Sequence, residues 1–68
     1  MREVIKFSIH DKGSRTRTTF RVAENNNFFA IEEYLPNTKK WIPICGARWD
    51  SFHAVLSSSM FQQLFFAN

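Results

Sequence analysis

Residues 15–22 read RTRTTFRV, and this alternation decides the fold. Because successive side chains of a β-strand point to opposite faces, the stretch predicts a strand with two unlike sides. One side would carry Arg15, Arg17, Thr19 and Arg21, and the other would carry Thr16, Thr18, Phe20 and Val22. Alternate positions of a strand lie about 7 Å apart. Like charges at that spacing repel each other unless an anion binds them.

A second basic row is predicted on the strand before it. Residues 2–10 also alternate, which places Glu3, Ile5, Phe7 and Ile9 on one face and Arg2, Val4, Lys6, Ser8 and His10 on the other. The repeating phosphates of a nucleic acid are a polyanion that arginine binds well, so two adjacent basic rows indicate a nucleic-acid surface. The alternative is a solvated edge whose charges discourage aggregation. Glu32 is the carboxylate that would neutralise one of these cations.

The remaining pattern predicts two more strands and a helix. Residues 28–35 are rich in aromatic and β-branched types, and residues 39–45 form a fourth strand that Pro43 confines to an edge. From residue 47 to about residue 60, large side chains recur at three- and four-residue spacing, as in an amphipathic helix. The predicted fold is α+β, a twisted four-stranded antiparallel sheet followed by a C-terminal helix. This helix would cover the face with Ile5, Phe7, Ile9, Phe20, Val22, Ile42 and Ile44.

A single domain spans residues 1–68, with an apolar C-terminal arm at residues 61–68. A chain this short buries only about 60% of its unfolded surface, and such domains usually need disulfides, a metal or oligomerisation. Cys45 is the only cysteine, and no Cys/His set has zinc-finger spacing. We therefore predict a homodimer. The predicted dimer interface consists of Trp49, Phe52, Leu56, Phe61, Leu64 and Phe65.

Several short motifs follow one another in the second half of the chain. Residues 31–34 read IEEY and precede a turn, Lys39 and Lys40 lead into the apolar strand 42–44, and the helix opens at Trp49. Over residues 3–60 the chain resembles the single-stranded DNA-binding domain of the positive cofactor 4 (transcriptional coactivator) family. It departs from that pattern at Glu32, where the family often has arginine, and in the Phe-rich tail.

The resemblance implies a dimer that binds the backbone of unpaired DNA with little sequence preference. It implies that phosphates contact Arg15, Arg17, Arg21, Lys39 and Lys40, and that bases stack on Trp41 or Phe28. The second basic row adds Lys6 to the predicted binding residues.

Other function classes find little support in the sequence. No motif places a nucleophile or carboxylate beside His10 or His53, so we expect no enzyme, no catalytic residue, no small-molecule substrate, no cofactor and no metal. The N-terminus has no apolar signal-peptide core, no segment is long enough to cross a membrane, and a lone free thiol suits an intracellular setting, either cytoplasm or nucleoid or nucleus. The rival interpretation is a small phage- or plasmid-type interaction module that inhibits a host protein through its apolar tail.

Overall fold

The computed structural model describes residues 1–11, 13 and 15–66. Four antiparallel strands form one sheet in the order β1-β2-β3-β4, and two short helices follow. The elements are β1 (Arg2–Asp11), β2 (Thr16–Asn25), β3 (Phe28–Leu35), β4 (Lys40–Pro43), α1 (Phe52–Ser57) and α2 (Ser59–Phe66). The α+β class and the four-stranded antiparallel sheet are confirmed, whereas the single predicted helix is two.

The helical region differs from the prediction at both of its ends. Ser51 is the N-cap of α1, and its hydroxyl accepts a hydrogen bond from the backbone N–H of Ala54 at 3.0 Å. Ser58 then ends α1 with an extended backbone, and its Oγ donates to the Val55 carbonyl and accepts from the Phe61 N–H. The apolar arm predicted at residues 61–68 is therefore helical up to Phe66, and residues 67–68 lie outside the described residues.

The core lies between the sheet and the helices. Phe20 and Val22 of β2 and Ile31 of β3 are buried together with Val55 and Phe61 from the helices. The alternation of residues 15–22 predicted this inward face of β2 correctly. Partly buried side chains that complete the core are Val4, Ile5, Phe7, Ile9, Phe29, Ile44, Trp49, Phe52, Leu56, Met60 and Leu64.

The predicted cover over Ile42 is wrong, since this side chain is exposed. Among the described aromatic contacts, α1 meets the sheet where Phe52 packs on Phe29, and α2 meets it where Phe61 packs on Phe7. Both of these contacts lie away from β4, which is an edge strand of only four residues.

Most of the predicted dimer-interface side chains contribute to this core. Phe61 is buried, and Trp49, Phe52, Leu56 and Leu64 pack against the buried cluster within the same chain. Their apolar surface helps to hold the helices on the sheet, and Phe61 is almost fully enclosed within its own chain. Phe65 is the exception, because about half of it (48%) is exposed.

Candidate nucleic-acid interface

The sheet face opposite the helices carries most of the predicted binding residues. Strand pairing places Lys6 opposite Arg21, Ser8 opposite Thr19 and His10 opposite Arg17, and paired residues share a face. Ser8 and Thr19 are joined by a hydroxyl–hydroxyl hydrogen bond of 3.2 Å. We call this side the open face, and of the two predicted basic rows it carries Lys6 and His10 on β1 and Arg17 and Arg21 on β2.

Arg21 does not behave as a free cation, and this corrects the predicted row of three arginines. Its Nε donates to Glu32 Oε1 at 2.7 Å, and its Nη1 lies 3.8 Å from Glu3 Oε1. Its guanidinium carbon lies 4.3 Å from the centroid of the Trp41 ring. Only 12% of the Arg21 side chain is exposed. Two carboxylates and an aromatic ring therefore hold this charge, and it is not available as a phosphate ligand in this conformation.

A β-bulge explains why Glu3 reaches the open face. Glu3 pairs with Ala23 and Ile5 pairs with Val22, so one extra residue is inserted in β1 between them. The alternation of the sequence predicts Glu3 with Ile5 on the apolar side, and Arg2 in the basic row. The bulge reverses both positions, and Arg2 instead forms an ion pair with Glu24 at 2.6 Å.

Arg15 and Arg17 remain exposed, but they do not lie on one strand. Arg15 precedes β2 and has a φ of 58°, with its backbone N–H bonded to the Asp11 carbonyl at 3.0 Å. The predicted start of the strand at Arg15 is therefore wrong by one residue. The three ion pairs found within the described part of the chain include neither arginine, and they do not include Lys6.

The two predicted lysines lie at the turn before β4 and at the first residue of that strand, next to Trp41. Trp41 pairs with Tyr34 on the open face, and their ring centroids lie 5.1 Å apart. Lys40 pairs with Leu35, so it belongs to the opposite face with Ile42. This corrects its predicted place beside Trp41 in one binding surface. Lys39 lies in the turn with a φ of 56° and is exposed.

A second aromatic group on the open face includes a residue that the sequence did not single out. Arg48 lies with its guanidinium carbon 4.4 Å from the centroid of the Phe28 ring. The loop is held there by two backbone hydrogen bonds between Phe29 and Trp49, of 2.6 and 2.9 Å. Because Trp49 faces the core, its neighbour Arg48 is directed to the other side. Only this long-range bridge reveals the pairing, and no local pattern signals it.

A cavity of about 220 Å³ opens beside this pair. Its floor and walls come from β2, β3 and β4 together with the loop at residues 46–48, and they include Ala23, Asn25, Phe28, Ala30, Glu32, Pro43 and Arg48. The open face thus combines exposed cations, two aromatic groups and one concave site. Among residues 1–11, 13 and 15–66 no group of three or more His, Cys, Asp or Glu side chains could hold a metal ion.

Comparisons with models of known protein families, with curated proteins and with solved structures found no match to this chain. No helix within the described residues has the length and apolar character needed to span a membrane.

Proposed function

We propose that this protein binds single-stranded nucleic acid on the open face of its sheet. One observation carries the proposal: exposed cations and aromatic rings share this face, while the helices occupy the other. Unpaired nucleic acid offers both repeating phosphates and accessible base faces. A duplex has the phosphates, but its bases are paired and stacked on each other. The resemblance to the positive cofactor 4 family favours DNA over RNA and backbone contacts over sequence readout.

The electrostatic part of binding rests on Lys6, Arg15 and Arg17. Each is exposed and free of the ion pairs described above, so phosphates can replace water around it without breaking a contact in the protein. Arg21 has a different role, since it is fixed between Glu32 and Trp41 and orients the Trp41 ring. Binding of this kind releases counterions and weakens steeply as salt is added.

The aromatic part of binding rests on Trp41 and Phe28. Arg21 covers one side of the Trp41 ring, and Tyr34 meets it at a tilt of 54°. An aromatic ring that is held in place in this way loses little freedom when a base stacks on it. Stacking contributes about 1–3 kcal/mol per base and tolerates any sequence.

Fluorescence anisotropy with a labelled oligo-dT strand at several salt concentrations tests the proposal. We expect Arg17→Ala to weaken binding to all sequences alike and to flatten the slope of log K against log salt by about 0.7, the value for one phosphate contact to a single strand. Lys40→Ala is the matched control, because it removes one exposed positive charge from the opposite face. Equal effects of the two variants, or affinity that does not depend on salt, would refute the proposed surface.

The proposal includes self-association into a homodimer. Phe65 and Phe66 at the end of α2 are 48% and 67% exposed, which is unusual for phenylalanine in a chain with so small a core. A second copy that covers them would supply the stability that a domain of this size otherwise lacks.

The same two phenylalanines favour the rival function, an interaction module that inhibits another protein. Exposed apolar residues next to each other also mark binding sites for different partners. Retention on single-stranded DNA that is lost as salt rises supports the nucleic-acid function. Co-purification with one protein, without DNA retention, supports the rival.

A further inference from the structure

The residues that line the cavity on the open face suit one planar, polar ring. Asn25 pairs with Phe28, Ala23 pairs with Ala30, and Glu32 pairs with Pro43 one row further along. Ala23 and Ala30 form the floor, and both are nearly removed from solvent, at 1% and 7% exposure. Larger side chains at these two positions would fill the space, so the cavity exists because both residues are small.

Polar groups lie at the two ends of this floor. Glu32 stands at one end, and the Phe28–Arg48 pair stands at the other. Phe28 and Glu32 are four positions apart on β3, which corresponds to about 13 Å. The cavity volume of about 220 Å³ lies below the range of about 300–1,000 Å³ that is typical for drug-sized ligands. A ligand of the size of a single nucleobase fits these limits.

Glu32 keeps one carboxylate oxygen for such a ligand. Its Oε1 accepts from Arg21, whereas Oε2 has no hydrogen-bond partner among the described residues. Since no buried side-chain oxygen of these residues lacks a partner, Oε2 is in contact with solvent and can accept from a ligand. The hydrogen bond from Arg21 Nε to Oε1 holds this carboxyl group in place, with Oε2 left to accept from N–H groups.

We infer that the cavity binds a single guanine of the bound strand, an inference that rests on the proposed function. Guanine has N–H donors at N1 and N2 on one edge, which suit the Glu32 carboxylate, and acceptors at N7 and O6 on another, which suit the Arg48 guanidinium. Thymine has no such pair of donors, and adenine and cytosine lack an edge with both N7 and O6 acceptors. The Phe28 ring stacks on the base or on Arg48. A protein that contacts mainly phosphates thereby gains a preference for guanine at one position of the bound strand.

The test uses labelled dT 12-mers that carry one central dG, dA, dC or abasic site, measured by anisotropy at fixed salt. We expect the dG strand to bind about five-fold or more tightly than plain oligo-dT, the lower end of what one base-edge contact provides. Glu32→Gln should reduce this gain to about two-fold or less. It should also raise the affinity for plain oligo-dT, because Arg21 loses the closer of its two carboxylate partners and becomes more available to phosphates.

A second variant and a direct readout distinguish the loss of the guanine site from a folding defect. Ala30→Val keeps every charge and narrows the cavity, so the gain from dG should disappear, while the matched control Ala54→Val on α1 retains it. In methyl NMR spectra, the dG strand should shift the Ala23 and Ala30 methyl signals, and the abasic strand should leave them in place. Equal affinity for dG and dT strands, or a gain that survives both Glu32→Gln and Ala30→Val, overturns the guanine site. Absence of salt-dependent binding to any strand overturns the proposed function itself.

Discussion

Arg21 and Glu32 face each other across β2 and β3, with Arg21 Nε 2.7 Å from Glu32 Oε1 and only 12% of either side chain exposed. The pair lies in the middle of the open face. Because both groups have lost most of their water, removal of one partner leaves the other buried and unpaired, which costs more than the loss of an exposed ion pair.

Glu32→Gln should therefore lower the free energy of unfolding by about 1.5–3 kcal/mol, the range for a hydrogen bond to a charged group. Urea titration followed by circular dichroism measures the change. Glu24→Gln is the matched control, because Glu24 pairs with Arg2 at 2.6 Å but at side-chain exposures of 35% and 70%. We expect this second change to cost about 0–1 kcal/mol. Similar losses from both variants would contradict a special role for the Arg21–Glu32 pair.

Trp41 should report nucleic-acid binding by its fluorescence. The chain has two tryptophans, of which Trp41 lies on the open face and Trp49 packs against the core. In Trp49→Phe, single-stranded DNA should quench the remaining emission of Trp41 because bases stack on its ring. In Trp41→Phe, the emission of Trp49 should stay constant during the same titration. If only the emission of Trp49 is quenched, the DNA binds away from the open face.

Ser58 should be the serine that matters most within the run at residues 57–59. Its Oγ accepts from the Phe61 N–H at 3.1 Å and so caps the start of α2. Ser58→Ala should cost about 1 kcal/mol, the usual loss for a helix cap, as measured by thermal or urea unfolding. Ser57→Ala is the control, because Ser57 is exposed and should change stability by no more than about 0.5 kcal/mol. An equal loss at both serines would argue against the cap.

The two glycines should respond to alanine in opposite directions. Gly46 has a φ of 63°, and nothing lies within 4 Å of the point that a Cβ would occupy, so Gly46→Ala meets no clash but must hold a left-handed backbone. We expect a loss of about 1–2 kcal/mol. Gly13 has only Asp11 Oδ1 at 3.5 Å and no left-handed φ, so Gly13→Ala should be neutral or stabilising by about 0.4–1 kcal/mol. Urea unfolding measures the free energy of unfolding of both variants. A stabilised Gly46→Ala would show that the loop does not require this φ.

The sheet could be predicted from the sequence because strand alternation is a local signal. Phe20 and Val22 face inward, and Arg17 faces outward, as the period of two requires. The bulge at β1 broke that period, and nothing in a run of alternating Arg2, Glu3 and Val4 announces where an extra residue is inserted. The alternation therefore predicts the wrong faces for Arg2 and Glu3.

The candidate site was less predictable because it depends on contacts between distant parts of the chain. The neutralisation of Arg21 requires the register that brings Glu32 opposite it. The Phe28–Arg48 pair requires the loop to fold back along β3 through the Phe29–Trp49 bridge. Composition and alternation indicate which residue types are present, but register and loop closure decide which charges remain free.

Phe66 should control self-association. It is 67% exposed at the end of α2, so Phe66→Ser removes little buried surface from the monomer and should leave its unfolding free energy within about 0.5 kcal/mol. If a second copy covers this ring, sedimentation equilibrium should show a shift from dimer to monomer in the variant. Gln63→Ser on the same helix is the control, since Gln63 is also exposed but polar, and it should remain dimeric. A wild-type chain that stays monomeric at all concentrations would exclude the homodimer and leave Phe65 and Phe66 as a surface for a different partner.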